Sequence, residues 1–437
     1  MENETNVTDN IYNGVDVMVC DALMGSGKTC AAINHIKASP PDEKILFVTP
    51  YLDQIERVKR ECSNKNFVEP EIRKGHGKKL QHLKDMIREG ENACLVTTHS
   101  LFHLFDEEII GLLREQEYTL YLDEVTTVIE EYKDLSDEQD YTTFMEKYAR
   151  LNEKGLITWR DEVDYNGKKY ANEKRFCQFK SLARYTDNGK RICLWLFPME
   201  IFTAFKKVYI LTYMFEGQLQ ACYYKYFGLP YRYIYVTGDR PENFEFTDDE
   251  NKKRVLDVDY SKLINICEDP KLNKIGGESP KDRYKLSLNW YRNNRYNGNL
   301  AKLKRNICNW FQHRGRAKVW QERLWTTFKD YKSKIKGNGY TNAFLSVNAR
   351  ATNDFASCTS VVYPVNIFVH PIYGNFFRKH GIEFNEDMYA LSEMLQFIWR
   401  SAIRNGNPID IYIPSIRMRT LLKVWIAENS IPSAKSA

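Results

Sequence analysis

An α/β chain is predicted, built from parallel sheets with helices on their faces, and three observations predict it. An apolar run at 15–20 leads into Asp21-Ala22-Leu23-Met24-Gly25-Ser26-Gly27-Lys28-Thr29, which opens a helical stretch at 30–36. Strand-like and helical segments then alternate through residues 11–130, the pattern of strands joined by crossover helices. A further apolar strand, 118–122, ends on the acid pair Asp123-Glu124.

Strand, glycine loop and helix are the context of a phosphate-binding loop. Gly25 and Gly27 let the backbone turn tightly, so that its N–H groups face phosphate oxygens. The helix opening at Lys28 adds the positive end of its dipole. This reading assigns Ala22, Met24, Gly25, Ser26, Gly27, Lys28 and Thr29 to nucleotide binding. Lys28 reaches the β- and γ-phosphates, and the Thr29 hydroxyl is a ligand for Mg²⁺. The bland alternative is a turn of small residues.

Composition is that of a globular chain, 437 residues long with 43% hydrophobic and 28% charged residues, long enough for two to four domains. Ten cysteines without a Cys-x-x-Cys pair indicate neither a zinc site nor a disulfide framework, and fit a reducing compartment. The start, 1–10, is polar and acidic, unlike a signal peptide, and the longest apolar stretch, 192–205, is short and holds Glu200. A soluble cytoplasmic protein without a membrane partner is expected. Residues 281–336 hold sixteen lysines and arginines against three acids, a net of +13 in a chain of net +5. That asymmetry points to a polyanionic partner.

Further strands are expected at 44–49 and 93–98. In a parallel sheet ligands collect at the C-terminal strand ends, so Thr49, Thr97, Thr98, His99, Asp123 and Glu124 share an edge with Lys28. Asp123 and Glu124 have the roles that hydrolysis of Mg·ATP needs: Asp123 holds Mg²⁺ and Glu124 polarises the attacking water. His99 and His103 have helical spacing but no third metal ligand, so they read as ordinary histidines.

An inserted β-element is expected at about 131–205, with a hairpin turn at Asn166-Gly167 and a strand over 191–197. The strand 208–212 closes a first domain, 11–219, and the run 231–236 opens a second, 220–437. In the basic segment the aromatics Tyr284, Trp290, Tyr291, Tyr296, Trp310, Phe311, Trp320, Trp325 and Phe328 lie among cations. The mixture suits single-stranded nucleic acid; the alternative is a helix pair with aromatics inward and cations outward. Strands are expected at 344–347, 360–366 and 409–413, and a helix over 393–404 carries Gln396, Arg400 and Arg404 on one face.

The chain resembles the superfamily 2 (DEAD/DEAH-like) helicases and translocases. Ala22–Thr29 is similar to that family's first motif, and Asp123-Glu124-Val125-Thr126 stands at its acid box. Thr49-Pro50 and Thr97-Thr98-His99 resemble its backbone-touching motifs, and Thr212 keeps the hydroxyl of its coupling motif. The run 344–354, with Arg350, Thr352 and Asn353, resembles the fifth motif. Gln396, Arg400 and Arg404 resemble the sixth, with Trp399 in the place of its glycine and Arg404 one residue late.

The resemblance implies two tandem RecA-like P-loop ATPase domains. It implies ATP and Mg²⁺ as cofactors, Lys28, Asp123, Glu124, Gln396, Arg400 and Arg404 as catalytic, and Thr49, Pro50, Thr97, Thr98, His99, Arg350, Thr352 and Asn353 as contacts to nucleic acid. The second half is similar in phrasing to helicases of tailed bacteriophages. That implies action on single-stranded DNA in phage replication or recombination, in the host cytoplasm, alongside replication proteins. Two alternatives stand beside it: a DNA motor that packages or remodels without unwinding, and a nucleic-acid scaffold with a residual nucleotide site.

Overall fold

The structure, a computed structural model, describes residues 14–72, 78–90, 94–347 and 355–430. They divide into two compact units. The first holds the described residues through Leu23, Gly27–Arg254 and His370–Phe384; the second holds Met24–Ser26, Val255–Val369 and those from Asn385 on.

The strands of the first unit are, in chain order, β1 (Asp16–Asp21), β2 (Ile45–Thr49), β3 (Cys94–Thr98), β4 (Thr119–Asp123), β5 (Ile129–Glu131), β6 (Ala149–Leu151), β7 (Leu156–Trp159), β8 (Leu182–Asp187), β9 (Lys190–Leu196), β10 (Lys207–Thr212), β11 (Arg232–Thr237) and β12 (Glu245–Thr247). Among the described residues its main sheet has seven strands in the order β12-β11-β1-β10-β4-β2-β3. Neighbours run parallel except β11 and β12. β2 reads Ile-Leu-Phe-Val-Thr and is buried at every position, as a strand covered on both faces must be. Rings line up across one face: Phe47, Tyr121 and Tyr209 stack in turn, and Tyr209 stacks on Phe246 at 5.7 Å between centroids. The helix Lys28–Ala38 lies on this ladder through the small side chains Ala31 and Ala32. Its His35 meets the Tyr121 hydroxyl at 2.6 Å.

β11 is where the expected domain boundary moves. Patterning put a new domain after residue 219, but Met18 pairs with Arg232 and Cys20 with Ile234, so β11 extends the first sheet. The units divide at 254/255 instead. An apolar run such as Tyr231–Val236 suits either sheet, and only its long-range backbone pairing decides.

Strands β5 to β9 form a separate antiparallel sheet, in the order β5-β9-β8-β7-β6. Its core is Leu135, Phe144, Trp159, Tyr170 and Leu182. The tight turn joins β8 to β9 at Asn188-Gly189, both with positive φ (48° and 77°), the geometry of a type I′ hairpin. Asn166-Gly167, the expected turn, lies instead in the loop before the helix Ala171–Gln178. That helix opens Ala-Asn-Glu-Lys-Arg-Phe, rich in helix formers, whereas the strand after Gly189 carries the β-branched and aromatic residues Ile192 and Trp195.

Residues 370–384 return to the first unit. The helix Pro371–Lys379 sets Phe376 5.2 Å from Tyr226 and 6.2 Å from Tyr185.

The second unit holds β13 (Ile264–Ile266), β14 (Arg323–Trp325), β15 (Ser360–Val362) and β16 (Ile409–Tyr412). They form a sheet in the order β13-β16-β15-β14, parallel throughout. Tyr291, Trp310, Phe311, Trp325 and Tyr331 make its core, so much of the aromatic content of the basic segment is structural. The fold is thus α/β with two RecA-like sheets and a small β-insertion in the first. Among the described residues no helix is long and apolar enough to cross a membrane.

Candidate functional site

β1 delivers the glycine loop. Gly25 (φ 80°) and Gly27 (φ 98°) take left-handed backbone, and the helix begins directly at Lys28. A β-carbon on Gly27 would strike the ring of Phe244, so glycine is required there twice over. Ala22 N–H donates to Thr212 O at 3.0 Å, tying the loop to the end of β10. Lys28 is buried and donates from Nζ to the carbonyls of Ala22 and Leu23, the latter at 3.2 Å. Its ammonium therefore sits within the loop, where an arriving phosphate offers a stronger, charged acceptor than either carbonyl.

β4 delivers the acid box. Asp123 is 6% exposed, and its Oδ2 accepts the Thr49 hydroxyl at 3.1 Å. Burial pushes its carboxyl up to about 7, with Glu124 adding to the effect; Thr49, Lys28 and Arg57 oppose it. Glu124 has φ 66° and donates its N–H to Leu211 O at 2.9 Å. A left-handed glutamate is uncommon and held by its surroundings.

Two histidines brace the box. His99 Nε2 lies 2.9 Å from the Asp123 carbonyl; a carbonyl only accepts, so this nitrogen carries the proton. His103 Nε2 meets Thr126 Oγ1 at 2.6 Å. Thr126 N–H donates to Gln220 Oε1 at 2.9 Å, and Gln220 Nε2 in turn donates to the Tyr224 hydroxyl at 2.9 Å.

β10 lies between β1 and β4, so its end touches both the loop and the box. The Thr212 hydroxyl is buried without a hydrogen-bond partner among the described residues. Beside it, Asp21 accepts the N–H groups of Met214 (2.7 Å) and Phe215 (2.9 Å). Burial raises the Asp21 carboxyl above its ordinary range, and these two bonds and Lys28 pull it back. Sequence reasoning gave Asp21 and Gln220 no role and read His103 as ordinary. A carboxylate closing an apolar strand just before a glycine loop was the available signal for Asp21.

Of the residues expected at nucleic acid, Thr49 and Thr97 are buried and His99 is 9% exposed. Thr49 and His99 turn their polar atoms toward Asp123. Thr98 caps the short helix His99–Phe102, accepting from Leu101 N–H, and Pro50 is half-buried. Arg350, Thr352 and Asn353 lie outside the described residues.

Gln396 is half-buried in the helix Glu386–Ile398. The helix stops there, short of the expected 404. Trp399 turns inward against Tyr260 and Trp425, and the chain enters a short 3₁₀ turn, Ala402–Asn405. Arg400 and Arg404 therefore do not share a helical face with Gln396. Arg400 is half-buried and Arg404 exposed.

Chemically, the loop and box place Asp21 and Asp123 within the electrostatic reach of one lysine. The Coulombic pull of Lys28 on both aspartates does not offset their burial. Among the described residues no group of three or more His, Cys, Asp or Glu side chains is placed to hold a metal ion, while Lys28 with the loop amides fits a phosphate.

Comparison with known proteins adds a family. The domain described as "YonV C-terminal Rossmann-like domain" matches residues 258–426. The SPbeta prophage-derived uncharacterized protein YonV of Bacillus subtilis (strain 168) is 40% identical over 420 residues, covering 94% of this chain and 98% of that protein. The chain belongs to the YonV family. The Rossmann-like description of the YonV C-terminal domain agrees with the parallel β13–β16 sheet. A solved structure of a Saccharomyces cerevisiae Dbp5 variant, bound to RNA and ADP BeF3, covers 94% of this chain and 84% of its own, at 9% identity and a TM-score of 0.35.

Proposed function

We propose that this protein hydrolyses ATP to drive movement along single-stranded nucleic acid. The observation that carries the reading is the joining of the Lys28 loop and the Asp123-Glu124 box through the end of β10, with Thr49 bonded to Asp123.

In this reading Lys28 leaves the Ala22 and Leu23 carbonyls for the phosphates. Mg²⁺, if bound, would neutralise phosphate charge. Thr29 and Asp123 would be the residues holding that cation, and Glu124 would polarise the attacking water. By the resemblance of their motif, Gln396, Arg400 and Arg404 would be further catalytic residues, the arginines suited to stabilising phosphoryl charge. The prophage origin of the Bacillus relative supports a role in phage DNA replication or recombination.

The test is the ATPase rate with and without single-stranded DNA, single-stranded RNA and duplex, at low and moderate salt. Stimulation by a single strand that fades with salt is expected. Hydrolysis by wild type and Lys28→Ala at equal rates defeats the reading. A strand-separation assay then divides unwinding from simple translocation.

A further inference from the structure

We propose that residues 292–297 and 329–336 of the second unit form a contact for single-stranded nucleic acid, with Tyr296 as its stacking platform. The proposal rests on the nucleic-acid reading above and adds where, and by what chemistry, the strand is held.

Tyr296 is 88% exposed, more than any other large apolar side chain among the described residues. It stands on the short loop between the helices Leu288–Asn293 and Asn299–His313. The loop is braced from within: Asn294 Oδ1 accepts from Asn297 Nδ2 and Asn299 Nδ2, both at 2.6 Å. The ring is thus offered from a held backbone, so little ordering remains for binding.

Arg292 and Arg295 precede it in the chain. Arg295 sits over the Tyr331 ring at 5.9 Å, which draws residues 329–336 alongside the loop. Arg292, Lys329, Lys334 and Lys336 are exposed, and none forms an ion pair with a described carboxylate. The contrast lies in the same segment: Arg283, Lys285, Arg314 and Arg316 each pair with an acid. Asp330 is the single acid among residues 329–336. Unpaired cations repel one another and await an external polyanion. A protruding ring among them selects a polyanion with bases to stack, which an acidic polypeptide does not supply.

The experiment is fluorescence anisotropy with labelled oligothymidylate and oligouridylate, without nucleotide, across a salt series. Tyr296→Ala should weaken binding roughly 5- to 100-fold. Tyr296→Phe, which keeps the ring, should bind like wild type. Replacing Arg292, Lys329 and Lys334 together by glutamine should flatten the log–log salt slope by about two. Basal ATP turnover of each variant should match wild type, which shows that the fold is intact. Tyr296→Ala binding as tightly as wild type overturns the platform. An unchanged affinity in that variant together with competition by polyglutamate points instead to an acidic protein partner and also overturns it. Wild type that binds neither oligonucleotide, yet hydrolyses ATP, defeats the nucleic-acid reading itself.

Discussion

Thr49 at the end of β2 donates its hydroxyl to the carboxylate of Asp123 at the end of the neighbouring β4, at 3.1 Å, where both side chains are buried. This bond is one of few forces favouring the ionised form of a carboxyl that burial and Glu124 push toward neutrality. Thr49→Val keeps the shape and removes the donor. The alkaline rise of the ATPase pH profile should move to higher pH, and turnover at neutral pH should fall about tenfold, from a lost hydrogen bond to a charged group of about 1.5 kcal/mol. A profile that keeps its position while its height drops would mean that Thr49 acts on packing alone.

The same carboxyl makes a stability prediction with a definite sign. Asp123 titrates near 7 in the folded protein and near 4 when unfolded. Between those values the folded state holds a proton that the unfolded chain has released, so this group's contribution falls as pH rises through the window and levels off above 7. Asp123→Asn abolishes the effect while keeping an acceptor for Thr49. Urea melts should show the variant more stable than wild type by about 2–4 kcal/mol at pH 8, and by much less at pH 5. The gain should accompany loss of turnover, as expected where an active site holds strain. Equal differences at both pH values would contradict the assignment.

Lys28 is the positive charge that moderates Asp21 and Asp123 together. Lys28→Met keeps the length and apolar stem of the side chain. ATP turnover should drop at least about a hundredfold, in line with loss of a preorganised donor to developing charge. The melting temperature should change little, because Ala22 and Leu23, whose carbonyls Lys28 holds, are only half-buried. Isothermal titration with Mg·ATP and a thermal melt on one preparation separate the two effects.

What the sequence disclosed divides by range. Strand, loop and helix at 15–36 are local, as are the apolar run and acids at 118–124, and both stand as read. Asp21 stayed hidden because its partners, Met214 and Phe215, are almost two hundred positions away. β11 was read into the wrong unit for the same reason, since pairing with β1 is invisible to patterning. Within the inserted element two Asn-Gly pairs, at 166 and 188, carry the same turn signal, and only the residues after them tell helix from strand. The helix at 386–398 ends six residues before the expected 404, because the spacing of Gln396, Arg400 and Arg404 does not disclose the inward packing of Trp399.

Asp21 and Met214 supply the last prediction. Met214 holds φ 56°, a left-handed conformation that strains a side chain bearing a β-carbon by about 1 kcal/mol, and the Asp21 carboxylate fastens its N–H at 2.7 Å. Met214→Gly alone removes the strain and should stabilise slightly or leave stability unchanged, as its apolar contacts are also lost. Asp21→Asn alone presents an amide N–H₂ toward one of two backbone donors and should destabilise by about 1–2 kcal/mol. In the double variant a glycine adopts the turn without carboxylate support, so part of the Asp21→Asn loss should return. The four urea midpoints should therefore be non-additive by about 1 kcal/mol, the range seen for residues in direct contact. Additivity within about 0.3 kcal/mol would show that the turn after β10 holds its shape without Asp21, and that the carboxylate serves the loop in another way.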